Sequence, residues 1–234
     1  WAGTAFARHL GSWGDDLSAL YFAARFAASG DWSLAYTGPA QIMGFGAPEA
    51  WHAEAARLGL GDEKLARYLY PPLWAGLFAP LSSQIGPYAF SDAAQALNVG
   101  LLVLCFWLVR RVFPAPDVHP ALLAAIYVAL IETSTVTLLV FALVQPQVLV
   151  VALTLAAMER AVSGRQTAAG TLLAVAAAIK LSPGLLVLAF VACRMWPAVR
   201  AFAATGALLA LASLALCGIE AHRALLGALA EVEA

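Results

Sequence analysis

The sequence predicts an all-α, polytopic transmembrane helical bundle that carries an extracytoplasmic loop domain of amphipathic helices. Three observations lead there. Of the 234 residues, 62% are hydrophobic and only 12% charged, whereas soluble domains carry about 25% charged residues. Apolar runs recur from Tyr70 almost to the C-terminus. Basic residues then fall in the short gaps between those runs, the pattern by which membrane proteins set their orientation.

Residues 1–69 hold a disproportionate share of the charge and most of the mixed aromatic and polar residues. Asp16 to Gly30 reads as an amphipathic helix with Leu17, Leu20, Tyr21, Ala24 and Phe26 as its apolar stripe, ended by Gly30-Asp31. A second short helix is expected over Glu49–Leu60. The region is too polar to span a bilayer and is placed as a loop domain on the membrane surface. Residues 70–93 form an interfacial or re-entrant segment: Tyr70-Pro71-Pro72-Leu73-Trp74 opens an apolar run that Pro80 punctuates, with Trp74 and Tyr88 as interface anchors.

Residues 94–219 form the bundle, with spans expected at Ala94–Val109, Ala121–Ile131, Gln145–Met158, Ala168–Ile179, Leu185–Cys193 and Ala201–Ile219. Several fall short of the roughly 20 residues that a straight crossing needs, so broken or re-entrant helices are expected. Residues 220–234 read as an outer loop cut short. The chain starts at Trp1 with no visible signal peptide, and both ends look cut from something longer.

Arg110-Arg111, Arg160 with Arg165, and Arg194 with Arg200 occupy three loops assigned to the cytoplasm. Counting crossings from them places Asp15-Asp16, Glu132–Thr135, Gln145–Gln147 and Lys180–Gly184 together on the outer side. Net charge is −1 without a polybasic tail, so nothing suggests nucleic acid. Cys105, Cys193 and Cys217 lie in apolar runs, lack CxxC spacing and read as small core residues. No metal-ligand cluster stands out, and no HExxH, P-loop or GxSxG pattern occurs.

The polar residues on that outer side admit two readings each. Lys180, followed by Leu181-Ser182-Pro183-Gly184, either holds a lipid-linked phosphate or snorkels to mark the interface. Asp15 and Asp16 serve either as a helix cap or as a general base that deprotonates an acceptor hydroxyl. Gln145 and Gln147, around Pro146, either bind sugar or phosphate oxygens or satisfy freed backbone groups. Pro71-Pro72 makes a rigid lead-in that presents Tyr70. Glu132 is a candidate by virtue of being ionisable at a membrane boundary. His52, beside Trp51, is within reach of such a site, while His9, His119 and His222 read as loop residues.

In one order, the sequence contains Asp16-Leu17-Ser18-Ala19-Leu20-Tyr21-Phe22-Ala23-Ala24, Gly30, Tyr36, Tyr70-Pro71-Pro72-Leu73, Gln145-x-Gln147 and Ala178-Ile179-Lys180-Leu181-Ser182-Pro183. This series resembles glycosyltransferase family 87, of the GT-C membrane superfamily, over roughly residues 12–200. The resemblance implies a polytopic enzyme of the inner (plasma) membrane that uses a polyprenyl-phosphate sugar, often mannose, on the extracytoplasmic side. It implies a lipid or glycan acceptor, inversion at the anomeric carbon, and no cofactor beyond the donor. It maps the base onto Asp16 with Asp15 as its neighbour and understudy, the phosphate-binding cation onto Lys180, and the cavity lining onto Tyr70, Gln145 and Gln147. Two positions depart from the family pattern: Val144 stands where a glycine commonly precedes the first glutamine, and Gln147 where asparagine is more usual. A secondary transporter and a non-catalytic membrane subunit are the competing readings.

Overall fold

The computed structural model describes residues 11–37, 48–61 and 63–233, and His9 lies outside them. Among the described residues the regular secondary structure is all helical, with no strand. The helices are α1 (Asp15–Ala28), α2 (Trp32–Tyr36), α3 (Glu49–Arg57), α4 (Pro72–Gln84), α5 (Pro87–Val112), α6 (Pro120–Thr133), α7 (Thr135–Leu143), α8 (Gln147–Val162), α9 (Gln166–Ile179), α10 (Val187–Ala192) and α11 (Trp196–Glu233), with a 3₁₀ turn at Ser182–Leu186 before α10. They fall into two compact units. One comprises residues 11–37, 48–61 and 63–94, Ala142–Gln145 and residues 210–233, and the other comprises Gln95–Phe141 and Pro146–Leu209.

In the first unit α1 packs along α4. The stripe expected for α1 is too narrow. Leu17 to Ala19 and Tyr21 to Ala24 are all buried, so the helix is enclosed on most of its circumference. The partners are aromatic: Tyr21 meets Trp13 and Phe90 edge-on with centroids 5.6 and 5.2 Å apart, and Phe22 stacks on Trp51 at 5.6 Å. Offset and edge-to-face ring pairs add about 0.5–1.5 kcal/mol each beyond their buried area. Trp51 is fully buried and donates its indole N–H to the Leu34 carbonyl at 2.8 Å, tying α3 to α2. α2 itself starts on Asp31, whose carboxylate accepts the Leu34 N–H at 3.1 Å as a helix cap. After α1, Gly30 takes φ of +80° and turns the chain where a Cβ would be strained.

A polar strut crosses this core. Arg25 donates Nε–H to Glu54 at 2.7 Å and an Nη1 hydrogen to the Ser82 carbonyl at 2.8 Å. Glu54 also accepts from Arg57, and these two guanidiniums, Arg57 first, hold its carboxyl below the usual range. A carboxyl depressed on folding stabilises the fold above its unfolded pKa of about 4.3 and loses that contribution as pH falls through the folded value. Glu54→Gln is therefore expected to lower stability by about 1–3 kcal/mol at neutral pH. The gap from the parent protein should close as pH falls below about 4, which thermal melting across a pH series reads.

Pro80 does not interrupt α4, which runs through it for 13 residues. Residues 220–233, expected as a loop, continue α11, and His222 is helical. That helix breaks at Gly218, where φ 73° and ψ 174° lie in a region essentially reserved for glycine. His222 sits across the break, with Nδ1 at 2.8 Å from the Gly218 carbonyl and Nε2 at 3.0 Å from Ser213 Oγ.

In the second unit α8 and α9 form the main pair, and α9 lies against the start of α11 so closely that Gly170 has no room for a side chain. A Cβ there would come within 2.0 Å of the Ala198 carbonyl oxygen. Of the apolar helices, α5 and α11 are long enough to cross a membrane, and α6 with α7, bent by 67° at Ser134, would make a third span if counted as one. The bend begins beside Glu132, and Ser134 Oγ accepts the Thr137 N–H at 3.3 Å to restart the helix. α8 and α9 have only 16 and 14 residues. Cys105 and Cys217 are buried as expected, but Cys193 is exposed just past the end of α10.

Candidate functional site

The residues singled out in the sequence fall into two groups, one in each unit. In the first unit the group gathers at the N-terminus of α1. Asp15 and Asp16 occupy its first turn, but neither caps it. The cap residue is Gly14, which has no side chain with which to cap. Both carboxylates are thus free of capping duty, while still gaining from the positive end of the helix dipole. Burial pushes the Asp15 carboxyl up, nearby Lys64 opposes this, and the Asp16 charge raises it further.

Asp16 Oδ2 accepts a hydrogen bond from Gln145 Nε2, a partner 129 residues away in the chain. The segment carrying Gln145 is pressed against α1. Gly14 is buried, and a Cβ on it would stand 2.3 Å from Val144 Cγ2 and 2.8 Å from the Leu143 carbonyl oxygen. Val144 itself is buried and takes φ of +53°, a left-handed conformation costly for a β-branched residue. The backbone here favours a residue tolerant of positive φ, which glycine would be.

Tyr70 joins the same group. Burial raises its phenol, and the Asp16 charge raises it further. Its carbonyl accepts the Tyr36 hydroxyl hydrogen at 2.8 Å, and its ring lies 5.8 Å from that of Tyr68. Tyr68 holds the following prolines in place, donating to the Pro71 carbonyl at 2.8 Å and accepting the Ala75 N–H at 3.2 Å. The tyrosines of this stretch thus fix where α4 begins. His52 is exposed on α3 and makes no hydrogen bond to the other candidates.

In the second unit Lys180 follows the last residue of α9 in an extended conformation (φ −144°, ψ 126°). The helix ends at Ile179, ahead of Pro183, which opens the 3₁₀ turn instead. Lys180 is exposed, and its ammonium donates to Gln147 Oε1 at 2.9 Å. Gln147 is the first residue of α8, capped by Pro146, so the cation stands at the N-terminal end of that helix.

The opposite end of α8 carries a group that sequence reasoning missed. Glu159 is 1% exposed, yet it pairs with Arg111 at 3.1 Å and Arg160 at 2.6 Å and accepts from Ser163 Oγ at 3.2 Å. Arg111 also lies 4.6 Å over the Trp107 ring. A glutamate one residue before an arginine looked like ordinary surface charge. The available signal was its place in a helix whose other residues are almost all apolar, where an ionised group needs partners.

No curated protein and no solved structure matches the chain. The sequence profile of glycosyltransferase family 87 matches residues 68–234. The match takes in Tyr70, Gln145, Gln147 and Lys180 and leaves Asp15, Asp16 and His52 ahead of it. It runs over well more than half of a chain whose long apolar helices mark it as a membrane protein, and on that extent of agreement the chain belongs to glycosyltransferase family 87.

Proposed function

We propose that this membrane glycosyltransferase moves a hexose, with mannose the first sugar to test, from a polyprenyl-phosphate donor to a lipid or glycan acceptor. The reaction is placed at the extracytoplasmic face of the inner membrane and inverts the anomeric carbon. Asp16 is the base. It takes the proton of the acceptor hydroxyl as that oxygen bonds to the anomeric carbon, and the bond from that carbon to the phosphate oxygen breaks with its electron pair. Polyprenyl phosphate leaves already charged, so it needs electrostatic stabilisation more than a proton. Lys180 supplies the cation. Tyr70 and Gln147 line the sugar and phosphate subsites, and His52, exposed on α3, is assigned to the acceptor side.

The observation that carries this reading is the state of Asp16: a carboxylate in the first turn of a helix that does not use it as a cap, held instead by a distant glutamine. An acid serving as the helix cap would be expected to bond the backbone N–H groups of that turn. Family membership favours the transferase over the secondary transporter and the non-catalytic subunit.

The test is sugar transfer by the full-length protein from a polyprenyl-phosphate sugar, with a nucleotide sugar as the comparison donor. Transfer from the polyprenyl donor alone is expected, and use of the nucleotide sugar instead would overturn the donor assignment. Lys180→Met should lower kcat by about 10²–10³-fold, the usual cost of removing one preorganised donor to a developing anion. Lys180→Arg should retain part of the rate, since a cation remains. Equal rates for Lys180→Met and the parent would remove Lys180 from the phosphate site.

A further inference from the structure

We infer that Gln145 is a positioning residue for the base, holding the Asp16 carboxylate by its amide rather than contacting the sugar. This rests on the assignment of Asp16 as the base. The resemblance alone would put Gln145 among the residues lining the cavity, but the geometry commits its side chain elsewhere.

The Nε2 hydrogens are the only donors on a glutamine side chain, and one of them is spent on Asp16 Oδ2. An ionised carboxylate can only accept, so the bond orients Asp16 in its charged form and leaves Oδ1 to receive the acceptor's proton. Among the described residues no other hydrogen bond reaches that carboxylate.

The backbone is arranged to deliver the amide. Gln145 follows a buried valine held at φ +53°, and the absence of a side chain on Gly14 lets that valine turn close against the residues just before Asp16. Strained backbone conformations that persist inside a packed core are commonly found where function needs a side chain aimed. Here the side chain that follows the strain is the one bonded to the proposed base.

The experiment measures kcat and KM for the donor with the full chain in lipid nanodiscs, for the parent, Gln145→Met, Gln145→Glu and Gln145→Lys. Methionine keeps the length and removes the donor. Glutamate keeps the shape and sets a negative charge against Asp16. Lysine restores an N–H donor of similar reach. Gln145→Met and Gln145→Glu are expected to lose about 10²-fold in kcat, the scale on which misplacing a reacting group acts, with KM unchanged. Gln145→Lys is expected to recover much of that loss, which a merely structural role for the side chain would not produce.

A rise in KM with kcat intact would show Gln145 touching substrate and overturn the inference, as would parent-like kcat in Gln145→Met. If Gln145→Met fails to fold, Gln145→Glu carries the same comparison. Full activity in Asp16→Asn would instead overturn the base assignment, a failure separate from that of Gln145 and read from a different variant.

Discussion

Asp16→Asn is expected to abolish most sugar transfer, lowering kcat by about 10²–10⁴-fold, the contribution of a positioned general base. The substitution is close to isosteric and keeps the side chain in the first turn of α1, where it gives up only a dipole contribution of about 0.3–1 kcal/mol. Protein yield and melting temperature should therefore stay near the parent values, which separates a chemical loss from a folding loss. Asp15→Asn is the matched control. Burial already raises that carboxyl, and it has no part in the proposed proton transfer, so its effect should be much smaller. Wild-type turnover by Asp16→Asn, measured with the polyprenyl-phosphate donor, would sink the proposed mechanism.

Gly170→Ala should be among the most damaging single substitutions for folding. The added methyl would meet the Ala198 carbonyl oxygen at 2.0 Å, its carbon at 2.8 Å and the Phe202 nitrogen at 2.9 Å. All three are backbone atoms of α11, so no side chain can rotate away and the two helices must separate. Overpacking typically costs about 1–3 kcal/mol and sometimes more, and this site belongs at or above the upper end. The interface it opens is built from Ala169, Leu173, Ala198 and their neighbours. Gly206→Ala, on the same α11 but with open space around the new methyl, is expected to be neutral or to stabilise by up to about 1 kcal/mol through helix propensity alone. Melting temperatures in one detergent, taken side by side, decide the matter. Equal values for the two variants would mean that α9 and α11 are not in this contact.

These two positions also mark where the sequence is legible and where it is not. Asp16, Tyr70, the two glutamines and Lys180 can be picked out because each is polar in an apolar or motif-bearing stretch. The local ends of helices are also readable, since Gly30-Asp31 and the Lys180–Gly184 turn follow from chemistry within a few residues. Gly170 and Gly14 are different. Each matters because another segment approaches its backbone from far along the chain, and nothing in hydrophobic periodicity reports that approach. The same holds for Glu159, whose arginine partner on α5 is 48 residues away. The expectation that residues 220–234 form a loop failed for a related reason. Glu220, His222 and Arg223 read as a polar break, yet Arg223 answers Glu220 one turn on at 2.6 Å and His222 answers Gly218, so the helix absorbs them.

Gly218 gives α11 a defined hydrophobic length. Without a break, 38 residues would form a rod of about 57 Å, nearly twice the roughly 30 Å depth of a bilayer's hydrocarbon. Trp196 to Cys217 amounts to about 33 Å at 1.5 Å per residue, a fit that needs little tilt. For a helix seated in a bilayer, the glycine would serve as a ruler mark, its non-helical backbone ending the straight run at about the depth of the hydrocarbon.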